Sequence, residues 1–390
     1  MALGHRSKRR LAIPAAGVAL CILVVGCSSK KATTSTPAAS GSTPAAAPAA
    51  TTSAAAPASA VASASASAPA ASGSAIPGVP AALKVGNPDP SICVGKKYTI
   101  GFDVYSATEG FAVENTKNFK TLAAQLGCVT PVVLVDNADP ATVTQNMNAF
   151  VQQHVNGVVL AQVVAAAQPG VMRTLTAAKI PVVAAYVAAP GAPFIDVDNA
   201  AAGLSGGVAV GQEFAKRYPN TLPYIVIGAF PEGGQVSLDR MNGVVKGVQS
   251  VISGIPADHI LMVDTKADPA QANSGTTNVL QRLPADAHII FSGINDLNTY
   301  AMLQAIKAAH RDGTAVGMGM GGDPSGRGFI CANQPAYFGT VGFFPDKYFQ
   351  FLLPALIGII NGVSVSDRIV LPTQVLTAAN MKQYYPDAAC

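Results

Sequence analysis

HIIFSGINDLNTYAMLQAI, residues 288 to 306, changes character in its middle. His288 to Phe291 is a short apolar run suited to the inside of a sheet, whereas Leu297, Ala301, Met302 and Ala305 recur at helical spacing. Asn295 and Asp296 stand at the junction, where a strand hands over to a helix. A strand feeding a helix is half of a right-handed crossover unit, so this stretch predicts a parallel sheet covered by helices.

Working outward, the same alternation fills the chain from Tyr98. Residues 98–104, 131–136, 156–161 and 180–186 read as strands separated by amphipathic segments, and the cycle restarts at 223–230, 259–264, 288–293 and 315–320. Two sets of four units predict an α/β protein of two doubly wound parallel-sheet lobes; one closed barrel of eight units is the competing topology. In an open parallel sheet, ligands bind beyond the carboxyl ends of the strands. That rule selects Glu109 after the first strand, Gln235 and Arg240 after the fifth, Asn295 and Asp296 after the seventh and Asp323 after the eighth. The competing reading of the Asn295-Asp296 pair is structural, because Asp caps helices well and Asn-Asp is a common turn.

The chain has 390 residues, and its first segment belongs to neither lobe. Arg6, Lys8, Arg9 and Arg10 precede the apolar run Leu11 to Val25, which is too short to span a bilayer and reads as an export signal. The run ends in VVGC, residues 24 to 27; Cys21 is a poorer cleavage site because bulky Leu20 precedes it and hydrophobic residues follow. A plain secretory signal with an incidental cysteine is the alternative. Residues 28 to about 88 are nearly all Ala, Ser, Thr, Pro and Gly, with no aromatic residue and no acid. Such a composition cannot offset its chain entropy by burial, so a disordered tether is expected, with a root-mean-square reach of roughly 45 Å as a flexible coil.

The formal charge of +4 counts these segments. From Asp89 onward there are 18 basic and 21 acidic residues, a net charge of −3, which leaves no basic patch for phosphates and excludes nucleic acid as the expected partner. Past Cys27, Cys93, Cys128, Cys331 and Cys390 remain, an even number in an exported chain, which suggests disulfides in one of three connectivities; no two lie close enough for a tight metal site.

Enzyme patterns fit poorly. GLSGG, residues 203 to 207, matches G-x-S-x-G, but Ser205 falls inside an expected helix from 199 to 218, where small residues suit close helix packing rather than a nucleophile elbow. GMGMGG, residues 317 to 322, matches G-x-G-x-x-G, yet DPSGRG follows where a dinucleotide fold requires a helix. His154, His259, His288 and His310 are scattered, so neither metal nor cofactor is expected.

Taken in order, TIGFDVYSATEGFAVENTKNFKTLAAQLG, VNGVVLAQV, AKIPVVAAY, IDVDNAAAG, RMNGVVKGV, FSGINDLNTYAMLQAI, GMGGDPSG and YFGTVGFFPDKYFQ resemble the landmarks of the type I periplasmic solute-binding proteins of sugar ABC importers. VVGC resembles the lipobox of bacterial lipoproteins, with Cys27 as the lipidated residue. The resemblance covers roughly Tyr98 to Pro386 and implies two lobes joined by three crossings. Residues 1–26 are then a signal peptide and 27–88 a tether. Residues 89–198 with 344–366 form the N-terminal lobe, and 199–343 with 367–390 the C-terminal lobe.

It also implies a ligand grip of Arg240, Asn295 and Asp323, with Glu109 where Asn is common and Phe111 as a ring stacking on a sugar face. Three positions depart from the family pattern: Tyr186 stands for an aspartate, Ala112 for a second ring and Phe343 for a glutamine. These changes point away from ordinary hexoses and ribose toward a polyol, deoxy sugar or related solute. With lobes so assigned, Cys93 is expected to pair with Cys128 and Cys331 with Cys390. The implied protein is a lipid-anchored monomer on the outer face of the cytoplasmic membrane that passes a small hydroxylated ligand to an ABC permease. A sensory receptor that reports occupancy to a membrane kinase shares the fold and cleft.

Overall fold

The junction at Asn295 forms as its residues dictate. Ile289–Gly293 is a strand buried on both faces, and Asn295 caps the helix Asp296–Ala308 by accepting from the Asn298 N–H at 2.8 Å. Three further helices begin at Asp-Pro pairs, in which the Asp side chain accepts the third N–H of the helix and Pro takes the first helical position, where no donor is needed.

The computed structural model describes residues 80–390. The signal segment, Cys27 and nearly all of the tether lie outside them. The chain runs β1 (Tyr98–Val104), α1 (Gly110–Leu126), β2 (Val129–Val135), α2 (Pro140–Gln152), β3 (Gly157–Ala161), α3 (Gln168–Ala177), β4 (Val182–Ala185) and β5 (Phe194–Val197). It continues through α4 (Asn199–Arg217), β6 (Tyr224–Ala229), α5 (Gln235–Val251), β7 (Ile260–Asp264), α6 (Pro269–Leu280), β8 (Ile289–Gly293), α7 (Asp296–Ala308), β9 (Ala315–Gly321), α8 (Pro324–Cys331) and β10 (Tyr337–Gly342). Last come α9 (Phe349–Ile360), β11 (Arg368–Leu371), β12 (Gln374–Thr377) and α10 (Met381–Tyr384).

Two six-stranded sheets result, ordered β11-β5-β4-β3-β1-β2 and β12-β10-β9-β8-β6-β7, so the competing single barrel is not formed. All described pairings are parallel except β12 on β10. Both lobes reverse strand order at the same place, between β1 and β3 and between β6 and β8, and those carboxyl ends form the natural crevice.

The chain crosses between sheets after β5, after β10 and between β11 and β12. The last crossing corrects one boundary: residues 367–390 do not lie whole in the second lobe, because Arg368–Leu371 pairs in parallel with Phe194–Val197 in the first. Arg368 explains the pairing, donating to the carbonyls of Phe194 and Val197 at 3.2 and 2.7 Å. A second correction concerns DPSGRG, which does begin a helix, α8. Gly317 to Gly321 nevertheless lie within strand β9 and form no phosphate-cradling loop.

Phe102, Phe119 and Phe349 fill the first core, with Phe119 stacked on Phe349 at 4.5 Å between centroids. In the second lobe α4 and α5 touch backbone to backbone: a Cβ on Gly203 would lie 2.0 Å from the Arg240 carbonyl oxygen, and one on Gly207 2.1 Å from that of Val244. Glycine is required there, which accounts for GLSGG as packing; Ser205 donates to the Ala202 carbonyl within α4. The Cys93–Cys128 and Cys331–Cys390 disulfides are both present, one in each lobe.

Candidate functional site

The carboxyl ends of the two sheets enclose a cavity of about 770 Å³, within the usual range for small-molecule sites. Its first-lobe wall carries Tyr105 beyond β1, Glu109 and Phe111 at the start of α1, Tyr186 beyond β4 and Asp196 in β5. The second-lobe wall carries Arg240 from α5, Ile294 and Asn295 beyond β8, Met320 in β9 and Phe343 beyond β10.

Aromatic rings dominate the first wall. Phe111 meets Tyr186, Tyr348 and Phe343 edge to face at centroid distances of 5.7, 5.4 and 6.3 Å, and Tyr105 meets Tyr186 at 5.6 Å. Tyr186 holds a left-handed backbone, φ 66°, which a tyrosine adopts at a cost of about 1 kcal/mol. Its hydroxyl is buried without a hydrogen-bond partner.

Glu109 caps α1 by accepting from the Ala112 N–H through Oε2, which also accepts from the Tyr105 hydroxyl. Oε1 is buried and unpartnered. Burial, reinforced by the Asp323 carboxylate, pushes Glu109 up to about 7 against those two donors. Asp323 lies across the seam between the lobes, where a Cβ on Gly110 would sit 3.0 Å from its Cγ. Burial and then Asp296 push it up to about 7 as well.

Arg240 ties the second wall together. Its Nε donates to Asn199 Oδ1 and its Nη1 to the Ile294 carbonyl, both at 2.8 Å, and its guanidinium lies 4.8 Å over the Phe343 ring. Asn199 also donates to Asp196, whose other oxygen accepts from the Tyr348 hydroxyl at 2.8 Å. Burial raises the Asp196 carboxyl, opposed first by that Tyr348 bond and then by Arg240.

Of the residues chosen from sequence, Glu109, Phe111, Tyr186, Arg240, Asn295 and Phe343 line the cavity. Three do not. Gln235 is exposed and donates to Asp239 at 2.7 Å, because it occupies the outer first turn of α5. Asp296 is wholly buried behind the wall, accepting from the Gly322 and Asp323 N–H groups and from the Tyr337 and Thr340 hydroxyls. It locks α7 to β9 and β10. Asp323 caps α8, accepting from the Gly326 N–H at 2.8 Å, and is 1% exposed. Tyr105, Asp196 and Tyr348 were missed. The strand-end rule reaches Tyr105, and an acid inside the apolar strand Phe194–Val197 was the signal for Asp196.

Beyond the Phe111–Phe343 contact, further features bridge the lobes near the cavity. Arg327 on α8 forms a two-pronged ion pair with Glu114 on α1, at 2.9 and 3.2 Å, and Gly110 abuts Asp323. Among the described residues no group of three or more His, Cys, Asp or Glu gathers to hold a metal ion.

Paired crevices joined by three crossings, with one cavity between them, define a two-lobed binding protein. The chain belongs to the periplasmic binding protein domain family, which it matches over residues 100–362. The family consists of extracytoplasmic binding proteins rather than enzymes. No curated protein matches the chain in sequence. Among solved structures it is similar to an ABC transporter periplasmic solute-binding protein from Actinobacillus succinogenes with bound D-allose, at 16% identity and a TM-score of 0.64 over 74% of this chain and 100% of that one. It is also similar to an ABC transporter solute-binding protein from Bacillus halodurans with bound myo-inositol, at 17% identity and a TM-score of 0.64 over 75% and 98% of the two chains. A third is a Mycobacterium smegmatis protein in complex with β-D-fucofuranose, at 20% identity and a TM-score of 0.63 over 74% and 94%. At these identities the likeness carries the fold.

Proposed function

We propose that the chain is a lipid-anchored solute-binding protein that captures a small hydroxylated ligand, a sugar, polyol or related compound, between its lobes and delivers it to an ABC import permease. One observation carries this reading: rings and polar groups from both lobes converge on one interlobe cavity, with Phe111 and Glu109 on one side and Arg240, Asn295 and Phe343 on the other. A ligand touching both walls interacts more strongly with the closed arrangement than with an open one, which is what drives hinge closure. The sugars and cyclitol bound by similarly folded proteins support the ligand class. Cys27 is the proposed lipid attachment site, and the Ala/Ser/Pro/Thr-rich segment the tether that holds a monomeric binding domain near its permease.

A thermal-shift panel tests the ligand class, because a solute that binds only the folded form raises its melting temperature. The panel holds D-allose, myo-inositol, D-fucose, glycerol, allitol and amine-bearing analogues. A rise of several degrees with at least one member is expected, and no rise with any at millimolar concentration overturns the reading.

A further inference from the structure

Resting on that reading of the interlobe cavity, we propose that the solute carries an amine: an amino sugar or aminocyclitol whose ammonium group is held by Glu109 inside the aromatic wall. Four features of the site converge on this.

The first is the state of the Glu109 carboxylate. Oε2 is committed to the Tyr105 hydroxyl and the Ala112 N–H, while Oε1 is buried with no partner. A buried carboxylate oxygen left unpaired is costly, and an ammonium donor answers it with a charge-assisted hydrogen bond, the stronger kind. The second is the Tyr186 hydroxyl, also buried and unpartnered, whose ring packs against those of Tyr105 and Phe111 in the same wall. It can accept another N–H of the same ammonium.

The third is the wall itself. Tyr105, Phe111, Tyr186 and Tyr348 line this side of the cavity, and ring faces attract desolvated cations through their quadrupoles.

The fourth is the local charge. Glu109, Asp196, Glu232 and Asp268 line the cavity against Arg240 and Lys266, and Asp323 stands across the seam from Glu109. Arg240 is committed to Asn199 and the Ile294 carbonyl, and Glu109 takes part in none of the ion pairs among the described residues. The upward push on Glu109 to about 7 agrees with a carboxylate that lacks a cation of its own. A cation in the ligand would relieve its repulsion with Asp323 as the lobes close.

Calorimetric titration of the folded chain at pH 8 tests this with ligand pairs that differ by one amine: glucosamine against glucose, and an inosamine against its parent inositol. In at least one pair the amine is expected to bind about tenfold or more tightly than its parent, a difference of about 1.4 kcal/mol. Glu109→Gln, which keeps the helix-capping oxygen, should abolish that preference. Tyr186→Phe should remove a smaller part of it, which keeps the test intact if Glu109→Gln fails to fold. Equal or tighter binding of both parent compounds, or an unchanged preference in Glu109→Gln, overturns the amine assignment while leaving the solute-binding reading in place. Binding of neither member of either pair also overturns it, and the wider thermal-shift panel then decides the broader reading separately.

Discussion

The two lobes repeat one strand order yet face the cavity in opposite ways. In the second lobe the polar residues at the strand ends are largely held by the protein itself: Asn295 and Asp323 cap helices, Asp296 accepts from four donors, and Arg240 is fixed by Asn199 and the Ile294 carbonyl. In the first lobe the strand ends present rings, and two residues that line the cavity, Glu109 and Tyr186, each keep a buried oxygen with no hydrogen-bond partner. A polar side chain at the carboxyl end of a strand can serve a ligand or lock the fold. The second lobe mostly locks, and the first lobe is the side with open valences.

The contrast can be broken by substitution. Asp296→Ala orphans four donors in a dry environment and should destabilise the protein by at least about 3 kcal/mol in urea unfolding, the largest effect of the series. Destabilisation below about 1 kcal/mol would remove the lock from the account. Arg240→Ala should weaken the best panel ligand about tenfold or more by calorimetry, and it should also lower stability, because it leaves Asn199 Oδ1 and the Ile294 carbonyl without their donor; an affinity unchanged within twofold would place the ligand away from the second wall.

The acids at the seam sharpen the comparison through pH. Glu109 and Asp323 are both raised to about 7 in the folded protein, so their contribution to stability is present at low pH and is lost as pH rises from the ordinary carboxylate range through about 7. The ligand-free protein should therefore melt at progressively lower temperature between about pH 4 and 7, and Glu109→Gln should show a shallower fall. An identical slope in the variant would show that Glu109 is ionised throughout. Gln235→Ala, on the outer surface, should change neither stability by more than about 0.5 kcal/mol nor affinity measurably by calorimetry.

Most of the fold was legible in the sequence because apolar runs of strand length alternate with helical periodicity, and each has one comfortable environment. The eight expected strands all form, whereas the helix that begins at the Asp323-Pro324 pair was not expected. Arg368–Leu371 escaped because its lobe is decided by long-range pairing with Phe194–Val197, which no local pattern encodes. The candidate site was legible only to the level of strand ends. Asp296 and Asn295 are neighbours at the same junction, yet Asn295 keeps an extended backbone just ahead of the helix and stays at the cavity, while Asp296, the first helical residue, turns inward to Tyr337 and Thr340. Tyr348 reaches the site from a crossing, and its bond to Asp196 spans 152 residues of sequence.

The solute is expected to sit between the two walls with its polar anchor on the first lobe. A crystal structure of the protein with the tightest ligand of the panel tests it most directly. The ligand is expected between Phe111 and Phe343, with a donor atom within hydrogen-bond distance of Glu109 Oε1 and Asp296 still bound to its four donors. A ligand seated outside this cavity, or one gripped by Asp296 with Glu109 Oε1 left unpaired, would contradict it.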